Sequence, residues 1–191
     1  TNEAVDFGFA GWYGPAMNLH RSAFGGRNFE YYSEDSVLSA KMAVAEVEGA
    51  LESGMYPFIK HFALNEQEIN RNALCCTWST EQAIREIYLK PFEEAVKSNP
   101  DGKIAVMSSY NFIGTDWAGG CAALLKDVLR DEWGFNGVLM SDWGSTHHCI
   151  PAVKAGLDLE MPGGTRKPEE LAYYLKTGDI TIEMIDEMVR H

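Results

Sequence analysis

The motif Asp142-Trp143 brings together a carboxylate and a large aromatic side chain. Asp142 directly follows the apolar run Val138–Ser141, so its carboxylate is expected at a strand end, beside the large aromatic surface of Trp143. A carboxylate there can act as a nucleophile or a general base, and the aromatic ring can stack on the apolar face of a sugar. Asp142 could instead cap a helix beginning near Thr146, a common role of aspartate. The spacing leaves both interpretations open.

The motif Lys60-His61 ends another apolar run. A desolvated lysine can form a Schiff base with a carbonyl substrate, as in an aldolase, whereas a charged lysine donates hydrogen bonds to ligand hydroxyls. A surface lysine beside a buried histidine is the ordinary alternative.

Three further residues could contact a ligand. Arg71 follows His61 by ten residues, Arg27 lies in the long segment after the first apolar run, and Tyr110 follows the run that starts at Ile104. Each arginine has a structural alternative in an ion pair. Tyr110 is expected to be half-buried with its hydroxyl exposed to solvent.

Other polar clusters give weaker indications. Asn65, Glu66 and Glu68 predict a solvated loop, and one of Asp158 and Glu160 is expected to border the pocket. The segment 147–149, His-His-Cys, lacks the spacing of known metal motifs, so neither a metal nor another cofactor is predicted.

Five apolar runs must position these residues, and helical patterns separate them. The runs are Phe7–Trp12, Tyr56–Lys60, Ile104–Ser108, Val138–Ser141 and Gly156–Met161. Alternating strands and helices predict an α/β fold with a parallel sheet, either doubly wound or a (β/α) barrel. Gly25-Gly26 does not match a nucleotide-binding fingerprint, and polar residues follow the strands, which favours the barrel. A complete barrel needs eight strands and about 250 residues, so we expect an incomplete (β/α)8 barrel of about five βα units.

Helix signals fit this alternation. Apolar residues at helical spacing between Ala40 and Leu51 and between Leu124 and Leu129 predict two helices. Ser79 and Gln82 match a capping box, which predicts a helix from near Thr80 that Pro91 kinks or restarts.

Charge and composition exclude some classes of partner. The 191 residues include 28 acidic and 16 basic ones, a net charge of −12, which disfavours nucleic acid and anionic membrane surfaces. No apolar run reaches the about 18 to 20 residues of a membrane span. The four cysteines lack a disulfide framework, so we expect reduced, mostly buried thiols. Reduced thiols favour the cytoplasm, although secreted proteins also carry free cysteines.

Taken together, the ordered motifs resemble glycoside hydrolase family 3, the β-glucosidase family, from about Gly14 to the C-terminus. The motifs are Gly25-Gly26-Arg27-Asn28-Phe29-Glu30, Ser33-Glu34-Asp35, Lys60-His61-Phe62, Met107-Ser108-Ser109-Tyr110-Asn111, Gly134-Phe135, Ser141-Asp142-Trp143 and Gly156-Leu157-Asp158-Leu159-Glu160-Met161-Pro162. Their order and spacing make the resemblance specific.

The resemblance implies a retaining hydrolase that removes terminal β-D-glucosyl residues from β-glucosides or oligosaccharides, with Asp142 as nucleophile. The residues matched to sugar binding are Arg27, Lys60, His61, Arg71, Tyr110 and Trp143. In this family the acid/base is a glutamate of a second, downstream domain. Residues 1–191 are therefore expected to be part of the N-terminal barrel domain and catalytically incomplete on their own.

Other functions stay open at this stage. The loop after Lys60-His61 disfavours amino sugars, which leaves a β-xylosidase of the same family as an alternative. A noncatalytic sugar-binding or assembly module is the alternative from a different class. The open edges of such a sheet are expected to pair with the missing barrel segments or to form homo-oligomers.

Overall fold

The computed structural model describes residues 2–73 and 75–191, which form a parallel sheet with helices packed against it. The first half contains helix α1 (Asn2–Asp6), strand β1 (Gly11–Trp12), helix α2 (Ser36–Glu52), strands β2 (Tyr56–Phe62) and β3 (Cys76–Thr77), helix α3 (Glu81–Ala83), the π-helical turns Ile84–Tyr88 and helix α4 (Lys90–Lys97). The second half contains strands β4 (Ala105–Ser108), β5 (Phe112–Ile113) and β6 (Asp116–Trp117), the π-helix Ala123–Glu132, strand β7 (Leu139–Met140) and helices α5 (Cys149–Lys154), α6 (Pro168–Thr177) and α7 (Ile182–Arg190). Short 3-10 turns cover Asn28–Glu30 and Ala118–Gly120.

The main sheet has the strand order β1, β2, β4, β7, and all its neighbours are parallel. Parallel neighbours need a crossover between them, and helical segments lie between consecutive strands of this sheet. The strand order follows the chain order, as in a barrel. Within residues 2–73 and 75–191 the sheet stays open, and β3, β5 and β6 form a separate small sheet. The predicted α/β, barrel-like architecture is confirmed.

The first predicted strand is much shorter than expected. Of Phe7–Trp12, only Gly11–Trp12 pairs with β2. The backbone amides of Phe7 and Phe9 donate to carbonyls of α1, and both side chains are exposed. These residues therefore end a helix rather than extend a strand.

The last predicted strand is reduced to one bridge. Leu159 pairs with Met140, while the amide of Leu157 donates to Ala152 at the end of α5. The amides of Asp158 and Leu159 both donate to the carbonyl of Leu139 in β7, so Gly156–Met161 follows β7 without forming a continuous strand. The described sheet has four strands and this bridge in place of the five predicted strands.

The helices follow the predicted apolar spacing. In α2 the buried face includes Ala43 and Val47, and Asp35 caps the helix by accepting from Val37 N at 2.7 Å and Leu38 N at 2.9 Å. Thr80, rather than Ser79, caps α3. The N-cap of this helix therefore lies one residue after the predicted capping residue.

The restart at Pro91 is confirmed, since this proline lies in the first turn of α4. The core lies between the sheet and these helices. Phe62 of β2 contacts Phe92 of α4 with ring centroids 5.2 Å apart, and Trp133 with centroids 5.9 Å apart. Burial of these large rings fixes β2 against its covering helices.

Two expectations about the whole chain concern thiols and membranes. All four cysteines are free, but only Cys149 is buried and Cys76 is exposed, so the expectation of mostly buried thiols was wrong. Among the described helices, none has the length and apolar character needed to cross a membrane.

Candidate active site

The carboxyl ends of β2, β4 and β7 meet at one edge of the sheet. Lys60 and His61 lie among the last three residues of β2. Tyr110 follows β4 by two residues, and Asp142 follows β7 by two residues. Adjacent parallel strands bring their ends together, so residues far apart in sequence face one site. Asp142 is 8% exposed at this edge, whereas the side chain of Trp143 is open to solvent.

The two carboxylate oxygens of Asp142 have different environments. Oδ1 accepts a hydrogen bond from the Trp143 amide at 2.6 Å. Oδ2 is buried and accepts no hydrogen bond from the described residues. Burial raises the pKa of Asp142, an effect opposed by the Trp143 amide and by the charges of Arg71, Arg27 and Lys60.

Asp142 does not cap a helix. The next helix, α5, begins only at Cys149, and His148 occupies its N-cap position. The capping interpretation is therefore wrong, and the carboxylate is left with one oxygen uncommitted.

His61 is the nearest titratable neighbour of that free oxygen. Its Nε2 lies 3.7 Å from Asp142 Oδ2, and its side chain is almost completely buried. Burial and the nearby charges of Arg27, Lys60 and Arg71 lower the pKa of His61 well below its ordinary value. Both effects favour the neutral form of the imidazole.

A carboxylate that was not among the predicted site residues holds two of the cations. Glu30 pairs with Arg27 and also lies 3.6 Å from Lys60, measured from Oε2 to Nζ. This ion pair favours Lys60 as a charged hydrogen-bond donor and argues against the Schiff-base interpretation. The spacing of Glu30, three residues after Arg27, was the signal for this pair.

A second carboxylate holds the third cation. Glu68 Oε2 lies 3.0 Å from Arg71 Nε, and Glu68 Oε1 accepts from Asn65 Nδ2 at 3.2 Å. The Arg71 guanidinium in turn lies 4.0 Å from the ring centroid of Tyr110, whose hydroxyl donates to the Trp143 carbonyl. Arg71 is thus fixed by an ion pair on one side and an aromatic ring on the other.

The prediction of a solvated loop for Asn65, Glu66 and Glu68 is wrong. Asn65 is fully buried, and Glu68 is half-buried in the ion pair with Arg71. Glu66 accepts from Asn18 Nδ2 at 3.4 Å, and burial raises the pKa of Glu66 to about 7. The loop is part of the wall of the site.

The other predicted polar residues are held by partners outside the group of cations around Asp142. Asp158 pairs with Arg130 at 2.7 Å, and Glu160 accepts from two backbone amides of the following turn. Both carboxylates have partners in local structure, and the expectation that one of them borders the site stays a prediction. His147 lies between the rings of Phe112 and Trp117. In the described ranges, no group of three or more His, Cys, Asp and Glu is arranged to hold a metal.

This arrangement suits a neutral ligand rich in hydroxyl groups. Arg27, Lys60 and Arg71 supply hydrogen-bond donors, and the carboxylates of Glu30 and Glu68 restrict how these donors move. Tyr110 and Trp143 add aromatic surface next to the buried carboxylate. The one uncommitted oxygen, Asp142 Oδ2, is available to attack an electrophilic carbon.

Comparisons with known proteins identify relatives of this chain. The chain is 48% identical over 180 residues to β-glucosidase B of Emericella nidulans. The matched region covers 93% of this chain and 21% of that protein. It is 46% identical over 177 residues to a β-glucosidase of Rhizobium radiobacter, with 92% and 21% covered. The chain therefore spans about a fifth of the length of these curated relatives.

Solved structures give the same result. β-Glucosidase 3B from Thermotoga neapolitana, solved in complex with glucose, superimposes with a TM-score of 0.91 at 44% identity, over 99% of this chain and 27% of that one. A β-glucosidase from Kluyveromyces marxianus has a TM-score of 0.93 at 37% identity, with 99% and 22% covered. The model of the glycosyl hydrolase family 3 N-terminal domain matches residues 1–191. The chain therefore belongs to glycosyl hydrolase family 3.

Proposed function

We propose that this chain carries the nucleophile and the sugar-binding residues of a retaining β-glucosidase. The observation that carries the proposal is Asp142, a buried carboxylate with one free oxygen among three cationic hydrogen-bond donors. The relatives named β-glucosidases support glucosides as the substrate class. Because the chain spans about a fifth of their length, the proposal also assigns a second domain to the full-length protein.

In the proposed reaction, Asp142 Oδ2 attacks the anomeric carbon of a terminal β-D-glucosyl residue. The bond from that carbon to the leaving oxygen breaks, and a glutamic acid of the second domain protonates that oxygen. In the second step the same glutamate, now deprotonated, takes a proton from a water molecule. The oxygen of this water attacks the anomeric carbon, and the bond from that carbon to Asp142 breaks. Two inversions give net retention of configuration.

The remaining residues bind and orient the sugar. Arg27, Lys60 and Arg71 donate to its hydroxyls, and their charge stabilises the ionised form of Asp142 against burial. The rings of Tyr110 and Trp143 line the ring of the bound sugar. Glu30 and Glu68 are occupied by ion pairs with these cations, which supports an acid/base supplied from elsewhere.

A mechanism-based label tests the assignment. The full-length protein is incubated with an activated 2-deoxy-2-fluoro-β-D-glucoside, and the labelled peptide is identified by mass spectrometry. We expect the label on Asp142, and we expect Asp142→Asn to lower kcat by at least about 10³-fold. The exposed Asp116 on β6 provides a matched control, and Asp116→Asn should retain activity. A label on any other residue would contradict the proposal.

A further inference from the structure

The two nitrogens of His61 face different groups. On one side Nδ1 lies 3.4 Å from Asn18 Oδ1 and 3.3 Å from the Tyr31 hydroxyl oxygen. On the other side Nε2 lies 3.7 Å from Asp142 Oδ2. The position of the single ring hydrogen therefore decides what His61 presents to the proposed nucleophile.

Asn18 offers only an acceptor to Nδ1. Its Oδ1 accepts the backbone amide of His61 at 2.8 Å, and its Nδ2 donates to the carbonyl of the same residue at 3.0 Å. These two backbone contacts fix which end of the amide is oxygen. Nδ2 is also held by Glu66 Oε1 at 3.4 Å, so the amide is anchored from both sides.

Tyr31 also acts as an acceptor toward the ring. Its hydroxyl donates to the carbonyl of Asn65 at 3.2 Å. Burial raises the pKa of Tyr31, so the hydroxyl keeps its hydrogen at neutral pH. A tyrosine hydroxyl has one hydrogen, and once this is donated to Asn65 only oxygen lone pairs face His61.

From these contacts we infer that Asn18 and Tyr31 are positioning residues that hold His61 in the Nδ1–H tautomer, with Nε2 presented as a hydrogen-bond acceptor beside Asp142. The inference rests on the function proposed above. The opposite tautomer would place the Nδ1 lone pair against the Asn18 oxygen at 3.4 Å. It would aim an N–H at Asp142 Oδ2, but at 3.7 Å this oxygen is beyond hydrogen-bond distance, whereas both acceptors at Nδ1 lie within 3.4 Å.

This tautomer has two consequences for the reaction. Asp142 Oδ2 receives no hydrogen bond from His61, so its lone pairs are free for attack on the sugar. Nε2 can accept a hydrogen bond from a sugar hydroxyl, which complements the donors on Arg27, Lys60 and Arg71. The site then contains a neutral acceptor among charged donors.

The tautomer can be measured directly by nitrogen NMR on the full-length protein with ¹⁵N-labelled histidine. His61→Gln identifies the signals of this residue. We expect a protonated Nδ1 and an unprotonated Nε2 in the unliganded protein at neutral pH. A protonated Nε2, alone or together with a protonated Nδ1, would overturn the inference. The spectrum does not depend on turnover, so a protein inactive on β-glucosides would refute the proposed function and leave the tautomer decidable.

Variants at two neighbouring tyrosines separate this positioning role from a general structural role. Tyr31→Phe removes one of the two acceptors, and we expect an Nε2–H population to appear and kcat/KM to fall about 3- to 10-fold. Tyr32 hydrogen-bonds to Glu46 instead, so Tyr32→Phe should change neither the spectrum nor kcat/KM. Unchanged histidine signals in Tyr31→Phe, or equal changes in both variants, would overturn the role of Tyr31.

Discussion

The ionisation of Asp142 is balanced between burial and nearby positive charge. Burial raises the pKa of this carboxyl, while the Trp143 amide, Arg71, Arg27 and Lys60 lower it. Only the ionised form can attack a sugar carbon. In the proposed reaction the cations bind the sugar hydroxyls and also favour the ionised form of Asp142.

Removing one of these cations is expected to shift the pH dependence of activity. Arg71→Gln takes away a charge that lowers the pKa of Asp142 and leaves Glu68 without its partner, so the pKa of Asp142 rises. Loss of activity on acidification then begins at a higher pH than in the wild type. Loss of the charge-assisted hydrogen bonds should also lower kcat/KM by roughly 10- to 100-fold.

The measurement is kcat/KM on an aryl β-glucoside as a function of pH, in the full-length protein. Arg85→Gln is the matched control, because Arg85 pairs with Glu81 and Glu132 on the helical surface. We expect its acid limb to coincide with that of the wild type. An acid limb in Arg71→Gln that is unchanged or lies at lower pH would contradict this account of Asp142.

Residue types predict part of the site from sequence alone. Asp142 and Lys60-His61 could be found because each follows an apolar run, and a parallel sheet brings such ends together. Asn18 could not be found in this way, and for Glu30 the spacing indicates only the pair with Arg27 and not the contact with Lys60. Their roles depend on which cation or backbone amide lies opposite them, and a side chain–backbone contact across 43 residues leaves no periodic pattern.

At the scale of elements, one glycine explains how two loops of the site come together. Gly26 has a φ of +92°, and a Cβ at this position would lie 2.8 Å from Cγ of Glu68. A side chain here would push the Arg27 loop away from the loop that carries Arg71. The sequence shows that the glycine pair differs from nucleotide-binding fingerprints, but its role in loop packing is seen only in the three-dimensional contact.

The boundaries of strands also depend on contacts that the sequence pattern does not show. Apolar runs predicted β2, β4 and β7 because these strands are covered by helices. The run at Phe7 misled because the amides of Phe7 and Phe9 donate to helix α1. In the run at Gly156, the first two amides donate to helix α5, and only the following residues reach Leu139 of β7. Hydropathy identifies a segment that can be buried, and hydrogen-bond partners decide whether it becomes a strand.

The cap of α2 provides a test at this scale. Asp35 accepts two amide hydrogen bonds at the start of the helix that packs on α4 and β2. Asp35→Ala leaves those amides without a side-chain partner, and we expect a loss of about 1 kcal/mol in the free energy of unfolding. Glu34→Ala removes a neighbouring charge with no capping contact and should change it by less than about 0.5 kcal/mol. Urea denaturation followed by circular dichroism measures both, and equal effects would contradict the capping role.

At the scale of the whole molecule, the open sheet contrasts with the closed form of a barrel. Gly11–Trp12 lies at one edge, and the bridge at Leu159 lies at the other. Large apolar side chains are exposed near the first edge, with Phe7 83% and Phe9 63% accessible. The strand count already predicted an open sheet in these residues, since about five βα units cannot close an eight-stranded barrel.

Residues 1–191 expressed alone are therefore expected to associate and to lack turnover. Unpaired parallel edges and exposed rings favour contact between copies, and the proposed acid/base belongs to a second domain. Light scattering should show oligomers, and an aryl β-glucoside should not be hydrolysed above background. The double variant Phe7→Lys with Phe9→Lys should reduce association, because it places charge at the β1 edge.

Tyr173→Lys is the matched control for that double variant, since Tyr173 is similarly exposed, at 61%, but lies on α6, away from the edge. We expect Tyr173→Lys to associate like the unmodified chain. A monodisperse, folded monomer would show that the open edges do not drive assembly. Robust hydrolysis by residues 1–191 alone would show that a carboxylate within this chain serves as the acid/base, and the search for it would then turn to Glu30 and Glu68, the carboxylates paired with the site's cations.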